Sequence, residues 1–157
     1  MTEAQRAYVR KETAIGVAIN AALSALFCVA LFAGREAIPV GDIVLDALPQ
    51  SFMIALMATI VPTAITRKRL RTGTIAPLAG GGGPLPANLA LRGLLVAAAC
   101  ALAGGLLHWL ALPRLTPETW AFAPLLAYKI VYGGVLALLI GPFVLRWALA
   151  DGALRTA

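Results

Sequence analysis

The sequence predicts an all-α integral membrane protein, a four-transmembrane-helix bundle with both termini cytoplasmic. Three observations predict it: apolar runs of bilayer length, a low charge content and a one-sided distribution of Lys and Arg. Residues 13–34, 47–66 and 93–113 each run about 20 residues without a formally charged side chain, enough at the helical rise to cross the roughly 30 Å hydrocarbon core. A fourth run, 121–148, is interrupted at Lys129. Hydrophobic residues make up 61% of the 157 and charged ones 13%, against about 25% in soluble domains. The spans leave connections too short for a second domain, so residues 1–157 are read as a single membrane domain.

Basic residues near spans are retained on the cytoplasmic side, and that rule orients the chain. Arg6, Arg10 and Lys11 precede the first span; Arg67, Lys68, Arg69, Arg71 and Arg92 lie between the second and third; Arg146 and Arg155 follow the fourth. The opposite side holds Arg35, Arg114 and Lys129 with Glu36, Asp42, Asp46 and Glu118. The expected location is a cell inner membrane. The net charge of +6 arises from this asymmetry, which points to anionic headgroups at the cytoplasmic face, met by Arg67, Lys68, Arg69 and Arg71, and not to nucleic acid.

The first span could also be read as a secretory signal, since basic residues precede it and Ala30, Ala33 and Gly34 end it. Its length exceeds the roughly 7 to 15 residues of a signal core, and its interior Asn20 and Ser24 suit helix packing. It is retained as helix one. Gly16, Asn20, Ser24 and Cys28 recur every fourth residue there, a stripe of small or hydrogen-bonding side chains. Helix two offers Ala55, Thr59 and Thr63, helix three Ala97, Ala101 and Gly105, and helix four Gly133, Ala137 and Gly141. Such seams let backbones approach closely where lipid supplies no hydrophobic drive for association. They serve either bundling or a homo-oligomer or membrane-complex partner.

Asn20 and Thr59 lie at matching depth, so an amide–hydroxyl bond between them is expected, in a candidate polar lining or packing set with Ser24, Thr63, Pro62 and Pro142. Pro62 and Pro142 should kink helices two and four and clear the carbonyls of Ala58 and Leu138. These prolines lie 80 residues apart, and the same offset lays helix one on helix three with basic flanks preserved. That is the pattern of a two-hairpin repeat, although identities are few and apolar sequence matches itself easily.

The loop 67–91 opens with RKRLR and becomes Gly- and Pro-rich, with Gly80 to Gly83 then Pro84 and Pro86, which predicts mobility. No Gly-Lys-Ser/Thr follows those glycines, so a phosphate loop is not expected. The outer loops, with Pro39, Pro113 and Pro117, read as tight caps, and Asp42 and Asp46 as solvated charges. In the fourth span Lys129 should snorkel to the headgroups beside Tyr128 and Tyr132, with Trp109, Trp120 and Phe122 in the same outer belt and Tyr8 and Trp147 at the inner one. Asp46, Gln50, His108 and Lys129 form a candidate outer-interface polar cluster.

Catalysis is not expected. One histidine and two cysteines in opposite bilayer halves, Cys28 and Cys100, give no metal set, no redox pair and no cofactor site. Two function classes remain: an oligomeric transporter or channel for a small neutral or anionic solute, whose path runs between helices one, two and four, or a non-catalytic accessory subunit of a larger membrane complex.

Overall fold

The computed structural model describes residues 1–79 and 83–151. Four long helices, α1 (Glu3–Phe32), α2 (Val40–Arg71), α3 (Leu89–Leu115) and α4 (Phe122–Ala150), are each long and apolar enough to cross a membrane. Every one outruns its apolar stretch. α1 starts ten residues before its uncharged run because Thr2 and Gln5 form a reciprocal capping box, and Gln5, Val9 and Thr13 keep a buried stripe going through the charged segment. α2 opens on Pro39, whose φ of −59° is already helical, and closes at Gly73 with φ +69°, a left-handed turn that suits glycine. Asn88 caps α3 through its side chain, which accepts from Leu91 N. α2 runs unbroken through Pro49 and Pro62, and α4 through Pro142.

The early start of α2 corrects the reading of Asp42 and Asp46 as loop charges, since both lie on the helix. The two loops at that end are also more ordered than caps. Ile38–Pro39 (β1) pairs antiparallel with Thr119–Trp120 (β2), Ile38 opposite Trp120, and Val40 N donates to Glu118 O at 2.8 Å. Ile38 is buried in a cluster with Phe32, Ile43, Leu112 and Leu125 that seals this end.

The helices pack in chain order only between α2 and α3. α3 lies along α2, α4 lies along α1, and the two pairs meet through α2 and α4, whereas α1 and α2 scarcely touch. Exchanging one α-hairpin for the other therefore maps the α1–α4 pair onto α3–α2 and β1 onto β2. α4 begins 82 residues after α2, at residue 122 against residue 40, close to the 80 that separate Pro62 from Pro142. Close approach rests on small residues, as at Gly133, where an added Cβ would collide with Ser24 Oγ and lie 3.1 Å from the Asn20 carbonyl oxygen.

The end opposite the strand pair is basic and pinned by ion pairs. Arg92, fully buried, forks onto Asp151 at 2.9 and 2.8 Å, and Arg67 reaches the same carboxylate at 2.7 Å. Arg69 pairs with Glu12 at 2.6 Å and stacks over Tyr8, whose hydroxyl lies 2.8 Å from Thr66 Oγ1. Two of the four expected lipid contacts, Arg67 and Arg69, are thus engaged within the bundle, and Tyr8 packs on α2 where a headgroup anchor was expected. Lys68 and Arg71 are exposed. The loop expected to be mobile is tied down on both flanks: Gln5 Nε2 donates to the Ala76 and Pro77 carbonyls, Leu78 N to Leu149 O, and Arg92 Nε to Pro86 O. Gly80, Gly81, Gly82 and Arg155 lie outside the described residues.

Candidate functional site: a groove with a charged floor

The splay of α1 from α2 leaves a groove of about 270 Å³ near the strand-pair end, floored by α4. Its rim is apolar and exposed, with Phe27 and Leu31 on α1 and Met53 and Met57 on α2. Its floor is polar. Lys129 sits seven residues into α4, roughly 10 Å along the axis, and is 1% exposed. Its ammonium donates to Asp46 Oδ2 at 2.6 Å and to Gln50 Oε1 at 2.8 Å, and Gln50 Nε2 continues to Ser24 Oγ at 3.3 Å. One network therefore joins α4, α2 and α1.

This corrects the expectation that Lys129 snorkels. A snorkelling lysine needs an unpartnered ammonium free to reach headgroups, whereas Asp46 and Gln50, four apart and so on one helical face, hold it inside the bundle. Carrying an ion pair at this depth costs several kcal/mol of desolvation per ion, repaid only by close geometry and further hydrogen bonds. The Lys129 network supplies both.

His108 belongs to an adjoining group and not to the Lys129 network. Its Nδ1 lies 2.6 Å from Gly104 O and its Nε2 2.8 Å from the Tyr128 hydroxyl, and the Tyr132 ring meets it edge-on with centroids 4.6 Å apart. Tyr132 reaches Ser51 Oγ at 2.6 Å. Tyr128 and Tyr132 are thus half-buried partners of His108 and Ser51 in place of belt anchors. Trp120 likewise turns inward onto Tyr128, while Trp109 is exposed.

The remaining sequence candidates separate. Asn20 lines the groove, but its Nδ2 donates to Gly16 O at 2.8 Å and Thr59 Oγ1 donates to Ala55 O at 2.7 Å, so the expected Asn20–Thr59 bond is absent. Each side chain donates to the carbonyl one turn back on its own helix, which a depth-matching argument overlooks. Thr59 and Thr63 are fully buried. Among the described residues, three buried side-chain oxygens lack a hydrogen-bond partner: Thr13 Oγ1, Asn20 Oδ1 and Thr63 Oγ1. They come from α1 and α2.

The two α-hairpins differ in the side chains they place at this level. At the 82-residue register Asp46 corresponds to Tyr128 (46 + 82 = 128) and Gln50 to Tyr132 (50 + 82 = 132). Tyr128 and Tyr132 pack against His108 on α3 and Ser51 on α2, whereas Asp46 and Gln50 line the groove between α1 and α2. Among the described residues no three His, Cys, Asp or Glu side chains converge as a metal set. Comparison with protein-family profiles, characterised proteins and solved structures found no match to this chain.

Proposed function

We propose that the protein is an oligomeric transport protein of a cell inner membrane, with its basic end cytoplasmic, and that a small neutral or anionic solute uses the α1/α2 groove. It is read as neither an enzyme nor a nucleic-acid partner. One observation carries the reading: a fully buried lysine, paired with Asp46 and Gln50, forms the floor of a cavity instead of the interior of a packed seam. Cohesion alone would be served as well by apolar side chains, since an ion pair in a dry interior is neutral or costly against a hydrophobic equivalent. Ionisable groups in membrane helices accordingly mark solute or proton paths by default. Asn20, Thr13 and Thr63, with unpartnered oxygens, supply polar groups between the groove and the basic end. The basic mouth disfavours cations.

The accessory-subunit reading has one observation in its favour: the rim of the groove between α1 and α2 is apolar and exposed, a surface that another chain's side chain could cover. Reconstituted liposomes separate the two. Transport predicts protein-dependent flux of glycerol, chloride or phosphate down a gradient; no flux under any gradient, with a stable complex recovered from the native membrane, would leave the accessory reading.

A further inference from the structure

We infer that the α1/α2 groove binds a neutral, hydroxyl-headed apolar molecule that enters sideways from the bilayer, its hydroxyl on Asn20 Oδ1. The inference rests on the transport reading only for what happens to that molecule afterwards. The rim is apolar at bilayer depth, so the opening faces hydrocarbon, and an occupant that enters through the rim, and not from the basic mouth, must itself dissolve in lipid. About 270 Å³ lies at the lower limit of small-molecule sites, room for one ring or short chain and not for a two-chain lipid.

The floor specifies the head. Lys129 is neutralised by Asp46, so no net charge awaits a counter-ion. What remains open is acceptor capacity. Asn20, 4% exposed, has its Nδ2 committed to Gly16 O while its Oδ1 has no partner. A buried acceptor without a donor costs roughly 1–3 kcal/mol, and a hydroxyl would relieve it.

The opposite hairpin displays the matching chemistry. In the place equivalent to the groove the protein inserts the phenols of Tyr128 and Tyr132, apolar bodies with a hydroxyl tip, and each tip finds a polar partner on a neighbouring helix, His108 and Ser51. The vacant side thus lacks the kind of group that fills the occupied one.

The test uses the full-length chain in phosphatidylcholine nanodiscs and a 4-hexylphenol probe with a diazirine on its tail. Cross-links should map to Phe27, Met53 or Met57. Unlabelled 4-hexylphenol should compete roughly fivefold better than its methyl ether, 4-hexylanisole, which cannot donate a hydrogen bond. Asn20→Leu should abolish that preference, and Leu23→Trp, on the half-buried groove wall, should block labelling without altering the floor. Equal competition by phenol and ether, labelling spread over the lipid face, or chain-to-chain cross-links from Met53→Cys showing a second copy in the groove would overturn the inference. Selective labelling without solute flux supports the site and removes the transport reading; flux without selective labelling does the reverse.

Discussion

At the scale of single residues, Lys129 decides most. Its ammonium is held by Asp46 and Gln50 inside the bundle, so removing one charge strands the other in a low-dielectric site. Lys129→Met should lower stability by about 3–5 kcal/mol, whereas Lys129→Met with Asp46→Leu should recover most of that loss. Thermal melts in detergent measure it, and a double variant no more stable than the single one would mean that the pair itself holds the helices together. Some of this site was legible in the sequence: Asp46, Gln50, His108 and Lys129 could be grouped by depth alone. Their partners could not, because depth does not say which face of a helix looks inward. That is why Lys129 was expected at the headgroups and Asn20 on Thr59, and why Tyr128 and Tyr132 were read as anchors instead of partners of His108 and Ser51.

Among the elements, the seams of small residues set how closely helices approach. Ser24 is 3% exposed against Gly133, and an added Cβ at Gly133 has no space, whereas Leu138 is 52% exposed on the outer face of α4. Ser24→Leu and Gly133→Leu should each overpack the α1–α4 contact and cost about 1–3 kcal/mol or more, while Leu138→Ile should be close to silent. Equal melts for all three would place these seams against lipid. The 3.6-residue recurrence of small side chains made the α4 seam readable in advance, Gly133, Ala137 and Gly141 all being buried. Helix ends were less readable. Hydropathy stops at the last apolar residue, but capping at Thr2 and Asn88 and the preset φ of Pro39 extend the helices into charged sequence. Gly104 offers a sharper test of the His108 group. An added Cβ would come within 2.5 Å of both Ser51 Oγ and the Tyr132 hydroxyl, so Gly104→Ala should break the Ser51–Tyr132 hydrogen bond, visible as a changed tyrosine ultraviolet absorption.

For the whole molecule, four apolar runs were sufficient to foresee four helices, but not their order. Loop lengths alone suggest that consecutive helices pack together, and α2 does rest on α3, yet α1 rests on α4 and scarcely touches α2, because the small-residue faces of α1 and α4 match and the polar face of α2 at Asp46 and Gln50 turns toward Lys129. The same topology gathers the basic residues near both chain ends and the loop between α2 and α3 at one end of the bundle. If that end is cytoplasmic, a reporter fused after Thr74 should give a cytoplasmic signal and one after Val40 an external signal. A reversed pair would invert the charge argument and put the groove in the inner leaflet.

Transport, and not cohesion, is the role proposed for the charged floor of the α1/α2 groove. The most direct measurement is solute flux in liposomes for the wild-type chain and for the Lys129→Met, Asp46→Leu double variant, each checked by its melt to be folded. The double variant should fold and show flux reduced at least about tenfold, a loss of some 1.4 kcal/mol in the step that uses the floor. Wild-type flux from that variant would contradict that role.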